Sequence, residues 1–140
     1  MTFDPEFFKQ QLATMATEAE AKPDPIHMLN MIRFRDVAEY RSHEAPDGPA
    51  PSGREAYGTY SAHAIRFIEA LGGTVAWMSP ANTTMIGPKG EHWDTVLTVR
   101  YPNRAAFVEM ITSPDYQAIT HHRTAAVADS RLIMMEIPEG

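Results

Sequence analysis

Two adjacent histidines and an arginine, His121, His122 and Arg123, form the densest group of residues in the chain that could do chemistry. Histidine is a common general base and a frequent metal or haem ligand, and arginine binds carboxylates in a two-pronged geometry. Successive residues on a helix point about 100° apart, so the two histidines cannot both face one site. We take His122 and Arg123 as candidate ligand-binding residues. For Arg123 the alternative is an ion pair with Asp115, Asp129 or Glu136.

A second pair, His92 and Asp94, shares one face of a predicted strand and could supply two ligands of a metal site. No HxxxH or ExxH spacing adds a third ligand, so an ion pair is the favoured interpretation. The chain has no cysteine, no glycine-rich phosphate loop and no nucleophile elbow. We therefore predict neither a bound metal nor a cofactor, and nothing indicates covalent catalysis.

Further candidates lie where a strand or a helix would hold them. Asn30 sits among apolar residues, where a buried amide needs a hydrogen-bond partner; it either orients a ligand oxygen or ties the strand to a loop. Arg100 either holds a ligand carboxylate or forms a cross-strand salt bridge. Tyr60 and His63 lie on one predicted helix, and Tyr60 belongs to its apolar stripe, where a structural role is the alternative.

Two tryptophans, Trp77 and Trp93, could form the aromatic walls of a pocket. Packing in the core or in a dimer interface would explain them equally well. Between the predicted helix of Tyr60 and the strand before it lies a proline- and glycine-rich loop from Ser42 to Gly53. Long loops of this kind often close over binding sites, so we predict that it is a lid.

Composition limits the class of protein. With 140 residues, 44% hydrophobic and 21% charged, the chain is expected to form one domain. Its net charge of −6 and its scattered basic residues disfavour nucleic acid as a partner. The N-terminus lacks a signal-peptide pattern and no run reaches membrane-spanning length, so neither export nor a membrane is expected. The lack of cysteine fits a reducing compartment, and we predict the cytoplasm.

Hydrophobic spacing predicts the elements that position these residues. An N-terminal helix with the stripe Phe7, Phe8, Leu12 and Met15 ends near Ala21, and Pro23 and Pro25 break it. We therefore divide the chain into a helix and linker at 1–25 and a domain at 26–140. The domain is expected to contain strands at 26–34, 74–78, 93–101 and 131–137, a short ladder at 83–86, and helices at 54–71, after Asn103, and from Ser113 through Arg123.

The order β-α-β, β-α-β predicts an α+β ferredoxin-like sandwich with a four-stranded antiparallel sheet and helices on one face. Strand residues are apolar on both faces, for example Met28 and Ile133. The uncovered face would then need a partner, which a second copy of the chain supplies most simply.

Several motifs carry a family resemblance. They are Leu29-Asn30, Ala56-Tyr57-Gly58-Thr59-Tyr60, Trp93-Asp94, Arg100-Tyr101-Pro102, Ser113-Pro114-Asp115-Tyr116, His122-Arg123-Thr124 and Ser130-Arg131-Leu132. Over roughly residues 26–137 the chain resembles the domain-of-unknown-function family 1330 (DUF1330) in the dimeric α+β barrel superfamily. That resemblance implies the fold and a homodimer whose sheets pack face to face, but no reaction.

The wider superfamily includes cofactor-independent monooxygenases, lactone isomerases and haem-degrading monooxygenases. Asn30 stands where the haem-degrading group has its catalytic asparagine, but that group's histidine ligand would fall near Thr120 and its aromatic residue near Met110. Haem is therefore not expected. We predict a homodimer that binds a small apolar or aromatic carbonyl or carboxylate compound. A monooxygenase or isomerase-type enzyme and a non-catalytic interaction module remain alternatives.

Overall fold

The computed structural model describes residues 3–138 as helices packed on one antiparallel sheet. In chain order the elements are α1 (Pro5–Glu18), β1 (Ile26–Phe34), α2 (Gly53–Ala70), β2 (Thr74–Pro80), β3 (Thr95–Tyr101), α3 (Arg104–Thr112), α4 (Pro114–Gln117), α5 (Thr120–Ala126) and β4 (Val127–Met135). The strands are ordered β2-β3-β1-β4 and each neighbouring pair is antiparallel. This is the predicted ferredoxin-like α+β fold, with α1 as the additional N-terminal helix.

Strand alternation divides the sheet into two faces of different character. Met28 pairs with Val99, and Asn30 pairs with Leu97, so these side chains share the face that the helices cover. The intervening residue Leu29 faces the other side, which no helix of residues 3–138 covers. We call the two sides the helix face and the open face. The core lies between the helix face and α2 to α5.

Local signals fix where the long helix α2 begins and ends. The Ser52 hydroxyl accepts a hydrogen bond from the Glu55 amide while the Glu55 carboxylate accepts one from the Ser52 amide, which forms a capping box. Gly72, with φ of +83°, then turns the chain out of the helix. At the first position, a Cβ on Gly53 would lie 2.1 Å from the Arg35 carbonyl oxygen, so only glycine fits there.

The N-terminal helix packs on the core through fewer residues than its stripe predicts. The Asp4 carboxylate caps it by accepting hydrogen bonds from the amides of Glu6 and Phe7. Met15 is buried and Leu12 is partly buried against the core, but Phe7 remains 58% exposed. The burial that the stripe predicts is therefore wrong for Phe7, which only borders the space between α1 and the sheet.

Some element bounds also differ from the predictions. The closing strand begins at Val127, four residues early, because the chain there already pairs with Phe34 at the end of β1. The single helical segment predicted from Ser113 is two short helices, α4 and α5. Residues 83–86 form no ladder, and Met85 and Ile86 are 87% and 97% exposed. The division at residue 25 stays a prediction.

One buried charge connects the segments that flank the sheet domain. Arg104 is 2% exposed at the start of α3, where its guanidinium pairs with the Glu136 carboxylate and donates to the Lys22 carbonyl oxygen at 3.2 Å. These contacts fix the linker after α1 and the segment after β4 to the same residue. No helix within residues 3–138 combines the length and the apolar character needed to cross a membrane.

Truncating the buried residue of α1 should cost far more stability than truncating the exposed one. We expect Met15→Ala to lower the free energy of unfolding by about 2 kcal/mol, because it removes buried contacts. Phe7→Ala should change it by less than about 0.5 kcal/mol. Urea denaturation of both variants measures the difference, and equal losses would show that α1 does not dock through Met15.

Candidate functional site

A cavity of about 470 Å³ lies between the helix face of the sheet and helices α2 to α5. Its wall is mostly apolar, with side chains such as Leu97, Ile68 and Phe107 from strand β3 and helices α2 and α3. Polar groups reach it from Asn30, Tyr57, Tyr60, Tyr101, Tyr116, Arg123, Asp129 and Ser130, among other residues. An apolar cavity with a few convergent polar groups is the usual form of a small-molecule site.

Two tyrosines meet inside this cavity. The hydroxyl oxygens of Tyr60 on α2 and Tyr116 on α4 are 2.5 Å apart, and each residue is buried. Burial raises the pKa of the Tyr60 phenol, and the nearby Tyr116 hydroxyl raises it further. Burial likewise raises the pKa of Tyr116, although its hydrogen bond to Tyr60 opposes the shift. Both phenols are therefore protonated at neutral pH, and the pair keeps one hydroxyl hydrogen for another acceptor.

Arg123 on α5 brings a positive charge to the same wall. Its Nη2 donates to the Ser130 hydroxyl at 3.4 Å, a long contact, and no carboxylate of residues 3–138 forms an ion pair with it. Burial raises the pKa of Tyr57, and the Arg123 charge works in the opposite direction. The ion-pair alternative for Arg123 is wrong for two of its partners, since Asp129 pairs with Arg131 and Glu136 with Arg104.

Asn30 lies on the same cavity wall as expected from its position in β1. Its Nδ2 donates to the Met28 carbonyl oxygen at 3.3 Å. One amide hydrogen is thus used locally, within the strand. The structure therefore brings together Asn30, Tyr60 and Arg123 of the predicted site residues.

Three of the predicted site residues do not line this cavity, namely Arg100, Trp77 and Trp93. This corrects the interpretation of the two tryptophans as its aromatic walls and of Arg100 as a ligand-binding residue in it. Arg100 pairs with His27 across the sheet and so lies on the open face. A bulge between Val75 and Trp77 reverses the alternation in β2, so that Val75 faces the cavity and Trp77 pairs with Thr98 on the open face. The Trp93 ring stacks beneath the Arg131 guanidinium at 5.3 Å.

His63 and His122 lie outside the cavity wall as well, in a separate cluster of rings. The His63 and His122 rings are nearly parallel, and their centroids are 6.3 Å apart. The centroid of the His121 ring lies 4.0 Å from that of His122. The Tyr40 hydroxyl is 2.7 Å from Nδ1 of His122. Burial lowers the pKa of His122, the neighbouring His121 and His63 lower it further, and Glu44 opposes the shift.

The loop from Ser42 to Gly53 is not placed as the predicted lid, since none of its residues lines the cavity. The chain on either side of it bonds elsewhere. The Ala38 amide donates to the Pro51 carbonyl oxygen, and the Glu39 amide donates to the Ala125 carbonyl oxygen at the end of α5. These bonds fix the segment before the loop to Pro51 within the loop and to the last turn of α5.

The pair His92 and Asp94 has a structural explanation. The Asp94 carboxylate accepts a hydrogen bond from the Phe34 amide at 2.8 Å, which fastens the end of β1 to the start of β3. His92 is exposed. Across residues 3–138 no three histidine, cysteine or acidic side chains come together in a way that could hold a metal ion.

Sequence reasoning missed Tyr57, Tyr116 and Ser130 as site residues. Tyr57 lies one helical turn before the candidate Tyr60 on the apolar face of α2, where packing in the core is the simplest interpretation of a tyrosine. Tyr116 follows the helix start at Pro114, a signal that predicted its element but not its direction. Their convergence depends on how α2 packs against α4.

The protein is thus a ferredoxin-like α+β protein with a mostly apolar cavity between sheet and helices, into which a few polar side chains point. The chain belongs to the DUF1330 family, a domain of unknown function, whose family model matches residues 51–137. No curated protein sequence matches.

The chain is also similar to solved structures. The chain is 41% identical to the RPA0582 protein of unknown function from Rhodopseudomonas palustris, with a TM-score of 0.81 and coverage of 94% of this chain and 95% of that one. A methylated form of RPA0582 aligns at 42% identity, a TM-score of 0.81 and coverage of 94% and 92%. A dimeric protein of unknown function with a ferredoxin-like fold from Bacteroides fragilis aligns at 15% identity, a TM-score of 0.41 and coverage of 81% and 96%.

The histidine cluster should make stability depend on pH. Because the pKa of His122 is lower in the folded protein than its ordinary value of 6.5, the unfolded chain binds more protons as pH falls through that value. We expect the melting temperature to fall as pH is lowered from about 7.5 to about 5, and to fall less in His122→Gln. The exposed His92→Gln is the matched control, and identical pH profiles for all three proteins would contradict the assignment.

Proposed function

We propose that this protein binds a small molecule with an apolar or aromatic body and a carboxylate or carbonyl oxygen, and that it does so as a homodimer. The environment of Arg123 carries the proposal. A half-buried guanidinium that faces an apolar cavity without a carboxylate partner, within the part of the chain described here, is complementary to an anionic group. The cavity volume of about 470 Å³ suits a ligand of modest size.

The tyrosines support the same orientation of the ligand. Protonated phenols donate hydrogen bonds, and the hydrogen that the Tyr60 and Tyr116 pair does not use internally is available to a ligand oxygen. Arg123 exerts a charge effect on both of these phenols, which places its guanidinium in their neighbourhood. A carboxylate there would receive charge-assisted hydrogen bonds, and a carbonyl oxygen would receive weaker ones.

Binding is better supported than catalysis by a monooxygenase or isomerase-type mechanism. Proton abstraction from a substrate needs a base, and the acidic side chain on the described cavity wall is Asp129. Its Oδ1 already accepts from the Ser130 amide at 2.9 Å and from Nη1 of Arg131 at 2.8 Å. That oxygen is therefore already occupied by two hydrogen bonds within the protein. The N-terminal apolar stripe is the sequence feature that favours an interaction module, and the burial of Met15 within the same chain weakens that support.

The open face of the sheet supports the proposed homodimer. Half-buried Leu29, Met31 and Val96 share this face with Trp77 and Ile133, which are 49% and 48% exposed. Exposed apolar side chains grouped on one sheet face are unusual on a monomer, although Arg100 lies on this face as well. A second copy packed sheet to sheet would cover it with an identical surface. The cytoplasmic location stays a prediction.

Removing the charge of Arg123 should weaken acid binding. We expect Arg123→Gln to reduce the affinity for benzoate or 2-naphthoate roughly tenfold or more, because a charge-assisted hydrogen bond is lost. Isothermal titration calorimetry is the suitable measurement, since both tryptophans lie outside the cavity.

The control variant for this experiment is Arg66→Gln, which changes an exposed arginine of α2 that does not line the cavity. It should bind as the wild type does. The neutral amides of the same acids should bind weakly to all three proteins. Undetectable binding of every acid to the wild type, or equal affinities in Arg123→Gln, would refute the proposal.

The open face should control assembly. Light scattering should give about twice the chain mass of 15.6 kDa for the wild type. Ile133→Glu places a charge in the proposed interface and should shift the protein toward monomer. Phe7→Glu, which adds the same charge to α1 on the other side of the sheet, should leave the mass unchanged. A monomeric wild type would remove the dimer from the proposal.

A further inference from the structure

A second cavity lies beside the first one, beneath the N-terminal helix. Its volume is about 480 Å³, and it lies between α1 and the outer part of the sheet. We call it the α1 groove. The two cavities share six lining residues, namely Phe3, Phe8, Met28, Phe107, Ser130 and Leu132. Since the same side chains border both spaces, the two cavities adjoin, and we treat them together as one channel.

The two ends of this channel differ in polarity. At the cavity end are the Tyr60 and Tyr116 hydroxyls and the unpaired charge of Arg123. The groove end is bordered by Leu12, Met15 and Met134. An amphipathic ligand would therefore have one favourable orientation in the channel.

The charged residues along the α1 groove already have partners. Asp4 caps α1, Glu18 pairs with Lys22 at 2.6 Å, and Arg131 pairs with Asp129 at 2.8 Å. None of them offers a free charge to a second polar group of a ligand. The groove is thus suited to an apolar chain.

We propose that the ligand is a monocarboxylate with a long unbranched apolar tail, held with its carboxylate at Arg123 and its tail in the α1 groove. This inference rests on the proposed function and narrows it, because it replaces a compact aromatic acid with an extended amphipathic one. It also assigns a task to α1, which lies outside the part of the chain that the family model matches.

A chain-length series tests the assignment. The probes are butanoate, hexanoate, octanoate, decanoate and dodecanoate, titrated by calorimetry below their micelle concentrations. Each buried methylene should raise the affinity roughly threefold to fourfold, until the tail reaches the end of the groove. An affinity that stops rising at butanoate or hexanoate would overturn the inference, since such tails fit within the first cavity.

Two variants place a charge in the groove and leave the Arg123 end unchanged. Met134→Arg alters a partly exposed residue of β4, and Gln11→Arg alters an exposed residue of α1, so that one remains informative if the other folds poorly. Each folded variant should bind decanoate at least tenfold more weakly and butanoate within about twofold of wild type. The matched control is Met85→Arg, because Met85 is 87% exposed and lines neither cavity.

The outcomes separate the two proposals. If decanoate binds both groove variants as it binds the wild type, the tail does not occupy the groove and the inference fails, while acid binding at Arg123 can still stand. If benzoate and butanoate bind and longer chains bind no better, the same conclusion follows. If no carboxylate binds the wild type, both the inference and the proposed function fail.

Discussion

The contact between the Tyr60 and Tyr116 hydroxyls is the interaction on which the helix layer depends. It joins α2 to α4 inside a mostly apolar space, where each hydroxyl would otherwise be buried without a partner. The rings of both tyrosines border the cavity, which lies above Leu97 and Asn30 on the helix face of the sheet. The same hydroxyls provide the polarity that makes the cavity a plausible binding site and not an empty packing defect.

Helix α5 connects this interior to the protein surface. His122 and Arg123 are neighbours in sequence, yet His122 belongs to the outer ring cluster and Arg123 to the cavity wall. The bond from the Tyr40 hydroxyl to His122 holds the loop after β1 against the same helix. One short helix therefore positions both the proposed anion-binding charge and the contacts of the segment after β1.

The sheet serves two purposes because its faces differ. The helix face supplies the cavity floor, and the open face supplies an apolar surface in need of cover. Edge strand β2 belongs to both, since its bulge puts Val75 in the cavity and Trp77 on the open face. Ligand binding and association are thus proposed for opposite sides of the same four strands, and a substitution on one face should leave the other largely unaffected.

Periodicity and capping signals in the sequence determined most of the elements and the ferredoxin-like order, because these depend on short-range spacing. The family was indicated by the resemblance of short motifs. The alternation of β1 sufficed to place Asn30 among apolar neighbours, and the stripe of α2 predicted a buried Tyr60. The tertiary structure alone decided which candidates meet. Register set Arg100 on the face opposite Asn30, and a bulge invisible in the sequence turned Trp77 away from the cavity. Arg123 and the tyrosines come together only because α4 and α5 pack beside α2, a long-range contact that local spacing cannot specify.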